Sequence, residues 1–327
     1  MRAETSEVLS IGRCGIDIYP FQIGIGLEDV HSFGKFLGGS PTNVAVASAR
    51  LGHSAAIITG VGNDPFGSFI RKECARLGVS TEYIVTNDRY HTPVTFCEIF
   101  PPDNFPLYFY RDPSAPDLEL TQADLPIPAV GGAPNFWLSV TGLSEEPSRR
   151  AHHYALDSRG KRRWTIADLD YREMFWQSSR KATYEVGRIL EKVDVAIGNK
   201  QECLVAVGET DPDRAADALL ERGIEIAVVK QGPAGILAKT AEERIEVPVT
   251  PINVANGLGA GDSFGGAFCH GLLCGWDLQR TVAFASAAGA LVASRLECST
   301  AMGTETEIID LMRANPQVKP SVEKRLL

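Results

Sequence analysis

Short apolar runs bounded by glycine, proline and small polar residues recur along the chain, and they alternate with longer stretches whose apolar residues return every three to four positions. Runs at 8–11, 55–59, 135–140, 164–167, 193–197 and 226–229 predict strands, and 44–51, 66–77, 145–158, 178–191, 213–222, 261–273, 278–294 and 305–313 predict helices. Most of the strand runs are apolar throughout. Such strands belong to a mostly parallel sheet covered by helices on both faces, an α/β architecture. Two β-rich runs at 92–100 and 107–110, separated by Pro101-Pro102-Asp103-Asn104, predict a hairpin-like insertion. With 16–36 it forms a small second sheet. A glycine turn at 230–235 leads to further strands at 236–239 and 244–249, and the polar tail after Pro316 predicts a frayed end.

Composition narrows the function classes. A chain of 327 residues holds one large α/β domain with an excursion, or two domains. With a net charge of −9 and no large lysine/arginine cluster, nucleic-acid binding is excluded. The densest basic run, Arg159 to Arg163, reads as a solvated helix end. An anionic ligand must therefore be met by a few local cations and helix ends. The seven cysteines include no Cys-x-x-Cys pair, so buried thiols in a reducing compartment are expected rather than a disulfide framework. The adjacent His152 and His153 read as surface histidines. No apolar run is long enough to span a membrane, and Met1 to Ser10 has no signal-peptide pattern, which together predict a cytoplasmic protein.

Candidate chemistry concentrates in a few turns. Gly259-Ala260-Gly261-Asp262 precedes an apolar helix, as a loop does that feeds a helix N-terminus. Open N–H groups and the helix dipole favour a phosphate there. Asp262 either caps that helix or takes a proton from a hydroxyl. Asp17 lies just past the first strand, where α/β sheets meet ligands, or simply in a turn. In Gly38-Gly39-Ser40-Pro41-Thr42-Asn43, Ser40 is a helix N-cap candidate and the glycine pair offers N–H groups to a polyol. Asn43 needs a partner from core or ligand. Arg111 is a candidate cation for an acidic substrate, or a surface partner of Asp112. Asp168, Asp170 and Arg172 follow a strand end. Asn199 and Glu202, three apart, either ligate Mg²⁺ or cap a helix.

No Gly-x-x-x-x-Gly-Lys-Ser/Thr is present, and the first strand–helix turn lacks Gly-x-Gly-x-x-Gly, so P-loop and dinucleotide-binding units are disfavoured. Instead the glycine-rich 38–43 stretch, with Gly52 and Gly62 beyond it, and the 259–262 stretch together resemble the ribokinase/PfkB family of sugar kinases. The resemblance covers roughly 8 to 315. It implies one ribokinase-like kinase domain over 1–327, with a β-sheet lid from about 16–36 and 92–111. It makes Asp262 the general base and Gly259, Ala260 and Gly261 the anion hole. Asp17, Gly38, Gly39 and Asn43 would bind sugar, with Arg111, Asp168 and Arg172 beside them. Asn199, Lys230, Gly232 and Gly235 would meet the nucleotide, and Asn199 and Glu202 the metal. ATP and Mg²⁺ are the implied cofactors, with a monovalent cation such as K⁺ left open, and a homodimer through the lid is the implied partner. The stretches 12–20, 109–117 and 168–172, and Asn256-Gly257-Leu258, resemble more narrowly the branch acting on the sugar acid 5-dehydro-2-deoxy-D-gluconate. Branches acting on 2-keto-3-deoxygluconate or fructose are the alternatives, and a catalytically silent binding protein is the non-enzyme one.

Overall fold

The structure is a computed structural model that describes residues 5–325. In chain order the strands are β1 (Val8–Ile11), β2 (Gly15–Pro20), β3 (Phe33–Gly38), β4 (Ala55–Gly62), β5 (Val79–Ser80), β6 (Ile84–Asn87), β7 (Val94–Cys97), β8 (Leu107–Tyr110), β9 (Asn135–Ser139), β10 (Thr165–Asp168), β11 (Val195–Asn199), β12 (Ile226–Lys230), β13 (Ile236–Lys239), β14 (Glu243–Val247) and β15 (Ser321–Lys324). The helices are α1 (Ser40–Arg50), α2 (Pro65–Arg76), α3 (Ile127–Gly132), α4 (Ser148–Arg159), α5 (Ser179–Leu190), α6 (Lys200–Val207), α7 (Pro212–Glu221), α8 (Ala260–Leu273), α9 (Leu278–Ala293) and α10 (Glu305–Ala314).

The main sheet has eleven strands in the order β15-β14-β13-β12-β11-β10-β9-β1-β4-β5, with β6 also on β4. It is parallel from β12 to β4 and its partners, and antiparallel from β12 to β15. The apolar runs are two-faced. Val8, Ile57, Trp137, Ile166 and Val228 point to one core with α1, α8 and α9, whereas Leu9, Ile58, Phe136, Ala167 and Val229 point to the other, with α4 to α7. The second sheet has four strands, β3-β2-β7-β8, and stands apart from the main one as the 16–36 and 92–111 patterns predict. No helix among the described residues is long and apolar enough to cross a membrane.

Small residues decide how α8 seats. A Cβ on Gly265 would lie 2.5 Å from the Trp137 ring, and one on Gly266 would lie 2.3 Å from Ala47 Cβ and 3.0 Å from the Ser48 amide nitrogen. The helix therefore packs directly on α1 and β9, which fixes the position of its first turn. Gly266→Val is expected to lose about 1–3 kcal/mol by overpacking a contact that includes backbone. Urea denaturation measures it, and an unchanged midpoint would mean the helices separate freely.

Three expectations need correction. The tail is not frayed at 321–324: β15 pairs antiparallel with β14 from Glu243↔Lys324 to Glu246↔Ser321, and Arg325 donates to Asp217 Oδ1 at 2.9 Å. Edge pairing uses backbone groups, so a polar strand suffices. His152 and His153 are buried, because the inner face of α4 carries them inward. His152 Nδ1 meets the Ser148 carbonyl at 2.8 Å and His153 Nε2 meets Glu185 Oε2 at 3.2 Å. Arg159 is not solvated either. It donates to Thr165 Oγ1 and to the Val130, Ala133 and Trp164 carbonyls, which satisfy its charge inside the protein. The thiols are buried as expected except that of Cys274.

Candidate active site

The C-terminal ends of β1, β10, β11 and β12 open on the same side as the first turns of α1 and α8, and together they enclose a cavity of ≈ 620 Å³. Arg13 enters from β1, Asp168, Asp170 and Arg172 from β10, Asn199 from β11 and Lys230 from β12. Ser40 and Asn43 come from α1, Gly259, Gly261 and Asp262 from the start of α8, and Asp17, Tyr19, Thr95, Leu107 and Phe109 from the four-stranded sheet.

Gly259 is the N-cap of α8, at φ 79°, and a Cβ there would also strike Cys298 Sγ at 2.7 Å. No side chain caps the helix, and its first internal bond runs from the Ser263 N–H to the Gly259 carbonyl. The preceding N–H groups have no place in the helical ladder. Asp262 does not cap. Its Oδ2 accepts from Asn43 Nδ2 at 2.7 Å, and Asn43 Oδ1 accepts from Ser299 Oγ at 2.6 Å. Asn43 is thus oriented from both ends and fixes one carboxylate oxygen. Burial raises the Asp262 carboxyl above its ordinary value, opposed first by the hydrogen bond from Asn43.

Carboxylates outnumber cations around this point. Asp168 is pushed up to about 8 by burial, against the pull of Lys230 and with Asp170, Glu202 and Asp262 adding to the rise. Asp170 suffers the same burial but stays below its usual range, because Arg172 reaches its Oδ1 at 2.8 Å and Arg13 its Oδ2 at 3.8 Å. Burial disfavours charge on Lys230, yet the surrounding Glu202, Asp168, Asp262 and Asp170 raise it above its ordinary value. Asp17 is pushed up to about 6 by burial, opposed by Arg13 and by the hydrogen bond from Tyr19.

Several expected residues lie elsewhere. Arg111 does not line the cavity. Its guanidinium donates to Asp117 Oδ2 at 2.9 Å, not to Asp112, with both side chains buried, and stacks over Phe175 at 4.8 Å. Gly38 stands behind the wall and makes room for Asp17, whose carboxylate a Cβ would meet at 2.2 Å. Gly235 packs under the Val247 carbonyl, 2.2 Å from a Cβ position, while Gly232 does line the cavity. Ser40 is not the N-cap of α1. Gly39 is, which frees Ser40 Oγ to donate to Asp168 Oδ2 at 3.0 Å. Asn199 and Glu202 form a reciprocal capping box: the Asn199 N–H donates to Glu202 Oε2 at 2.6 Å and the Glu202 N–H to Asn199 Oδ1 at 2.9 Å. Both still border the cavity.

Comparison with known families matches residues 5–305 to the model described as pfkB family carbohydrate kinase. The chain belongs to the PfkB family of carbohydrate kinases. Membership makes it a phosphotransferase with an alcohol group as acceptor. Among curated PfkB relatives, 5-dehydro-2-deoxygluconokinase of Geobacillus thermodenitrificans is 32% identical over 96% of this chain and 95% of its own length. The protein of the same name from Bacillus subtilis is 31% identical over 94% of this chain and 96% of its own. Among solved structures, the fructokinase of Vibrio cholerae with fructose, ADP and calcium ion is 25% identical, with a TM-score of 0.82 over 94% of this chain and 99% of its own. An Escherichia coli protein provisionally described as ribokinase II, solved with ATP and Mg²⁺, is 24% identical with a TM-score of 0.85 over 94% and 99%, which shows the shared fold.

The cavity of this PfkB kinase is also lined by residues that sequence reasoning does not single out. Arg13 is buried, its Nε has no partner among the described residues, and it lies over the Phe109 ring at 5.2 Å. Its signals in the sequence are its place just after β1 and its position within the 12–20 stretch. Tyr19 and Cys298, 279 residues apart, are joined at 2.8 Å. Because the Tyr19 hydroxyl gives its single proton to Asp17 Oδ2 at 2.9 Å, the Cys298 thiol is the donor to the tyrosine oxygen. For a metal, the donor set is all oxygen and hard. Among the described residues Asp168 Oδ1 is buried without a hydrogen-bond partner, and the capping box engages Oε2 of Glu202. These groups fit Mg²⁺, which takes few protein ligands and keeps its waters.

Proposed function

We propose that this kinase moves the γ-phosphoryl group of MgATP to the terminal hydroxyl of 5-dehydro-2-deoxy-D-gluconate. The observation that carries the reading is Asp262, held through one oxygen by Asn43 at 2.7 Å beside the open N-terminus of α8. The other oxygen is left for a substrate hydroxyl. Asp262 takes the hydroxyl proton as the new O–P bond forms and the bond to the leaving ADP oxygen breaks. The N–H groups of Ala260 and Gly261 meet the charge on the transferring group, a contribution typically worth about 3 kcal/mol per donor. Of the cavity-lining residues, Asp17, Gly39 and Asn43 would bind the sugar, and Lys230 and Gly232 the nucleotide. Asp168 and Glu202, with Asn199 beside them, would hold Mg²⁺, which neutralises phosphate charge when bound.

The substrate reading is supported by the names of the relatives and by two cations on the cavity wall. Arg13 Nε has no partner among the described residues, and both Arg13 and Arg172 reach Asp170, at 3.8 and 2.8 Å. A sugar carboxylate suits both. The four-stranded sheet would serve as the lid that excludes water from the transfer. Its outer aromatic residues Tyr108, Tyr110 and Phe33 are exposed and would pair two copies.

Coupled ADP release with MgATP tests the reading on 5-dehydro-2-deoxygluconate, 2-keto-3-deoxygluconate, fructose and ribose. Preference for the first by kcat/KM is expected, and preference for another sugar overturns the substrate. Arg13→Gln is expected to lower kcat/KM for the sugar acid about 10- to 150-fold, since a hydrogen bond to a charged group is worth about 1.5–3 kcal/mol. Any fructose turnover should fall much less. An equal loss on both would make Arg13 structural.

A further inference from the structure

The C-terminal end of α8, remote from Asp262, carries His270 and Cys274 four residues apart, so that both lie on one face of the helix end. The turn after α1 brings His53 against them. His53 Nε2 is 2.8 Å from His270 Nδ1, and Cys274 Sγ is 3.9 Å from that nitrogen and 3.7 Å from Nε2. One potential ligand atom from each residue lies within 4.8 Å of the others, and among the described residues no other His, Cys, Asp or Glu trio is placed this way. The phosphoryl-transfer site uses none of them.

We propose that His53, His270 and Cys274 form a binding site for a zinc-like divalent transition-metal ion at the far end of the helix that carries Asp262. The donor set is two imidazoles and a thiol, the borderline-soft set that zinc prefers over magnesium or calcium. An outer group is already in place. Glu7 Oε2 accepts from the Ser54 N–H at 2.9 Å, leaving Oε1 3.4 Å from His53 Nδ1. A carboxylate on the far nitrogen of a metal-binding histidine fixes its tautomer and turns the other nitrogen to the metal. Trp276 and Phe284 pack on the His270 ring at 4.8 and 5.4 Å between centroids and hold its orientation.

Without metal, one proton bridges the two facing nitrogens, and the ion would take its place. Zinc bonds of about 2.0–2.1 Å to nitrogen and about 2.3 Å to sulfur put tetrahedral N···N at about 3.3 Å and N···S at about 3.6 Å. The imidazoles part by about half an ångström and the thiol closes on His270 Nδ1 by a few tenths. His53 sits on a turn outside α1, and Cys274 is exposed at the helix end. Cys274 gives up its proton on binding, so affinity rises with pH.

The test is a Co²⁺ titration of the full chain, free of affinity tag and stripped of metal. One equivalent should bind with a thiolate-to-cobalt charge-transfer band in the near ultraviolet, and Zn²⁺ should displace it. Cys274→Ser should lose the band and bind at least about tenfold more weakly, and Glu7→Gln about tenfold more weakly. Zn²⁺ should raise Tm in the parent and not in Cys274→Ser, while sugar-kinase turnover stays at the parent level in both variants. Absence of one-equivalent binding, or a band that persists in Cys274→Ser, overturns the site. If His270→Ala does not fold, His53→Ala on its turn decides the same question, and unchanged affinity there also overturns it.

Discussion

Asp262→Asn is expected to lower kcat by about 10²–10⁴-fold while leaving ATP affinity near that of the parent. Asparagine matches the shape of aspartate, and its carbonyl can still accept from Asn43 Nδ2. Its amide group then faces the position of the substrate hydroxyl and cannot take a proton. The helix start is untouched, since Gly259 caps it and Ser263 makes the first internal bond. Rapid-quench turnover and calorimetry of nucleotide binding separate the two effects, and near-parent kcat would remove Asp262 from the chemistry. The pH profile gives an independent check. Burial raises Asp262, and it raises Asp17 to about 6. Both groups lose charge as pH falls through their raised values, so kcat/KM should decline on the acid side well above the ordinary carboxylate range near about 4.

Arg111→Leu is expected to destabilise the fold by about 3–5 kcal/mol, the usual cost of stripping one partner from a buried ion pair. Arg111 and Asp117 are 8% and 3% exposed, so the remaining carboxylate would be stranded in the protein interior. KM for the sugar substrate in the folded fraction should hardly change, because Arg111 does not line the cavity. Asp117→Leu added to Arg111→Leu should recover much of the loss, since replacing both charges removes the stranded one. Urea denaturation of the single and double variants measures this cycle. A raised KM with unchanged stability would instead assign Arg111 to substrate.

The contrast between Arg111 and Arg13 shows where the sequence stops being informative. Each arginine lies just beyond a strand, with a hydroxyl- or carboxylate-bearing chain nearby, and periodicity places both equally well. Which one meets the cavity depends on how the four-stranded sheet lies over the main one, and Asp117, six residues on, captures the wrong candidate. The strand and helix pattern itself is legible, because apolar runs such as 55–59 and 226–229 are buried on both faces and have no other stable place. Buried polar side chains are less so. His152 and Arg159 read as surface residues until the carbonyls of 148, 130 and 133 are seen to satisfy them. The Tyr19–Cys298 contact joins opposite ends of the chain and leaves no local trace. The spacing of Asn199 and Glu202 is readable, but it fits helix capping and metal approach alike, and the structure makes the cap while leaving a carboxylate oxygen toward the cavity.

The pairing of β15 on β14 has a practical side. A chain stopped short of Ser321 would present the outer row of β14 amides and carbonyls to solvent, from Glu243 to Val247, with alternate apolar residues along it. Such an open border is a template for another molecule's strand. Shortened versions of this kinase would then be prone to stick edge to edge and to precipitate on concentration, even with every residue of the phosphoryl-transfer site in place.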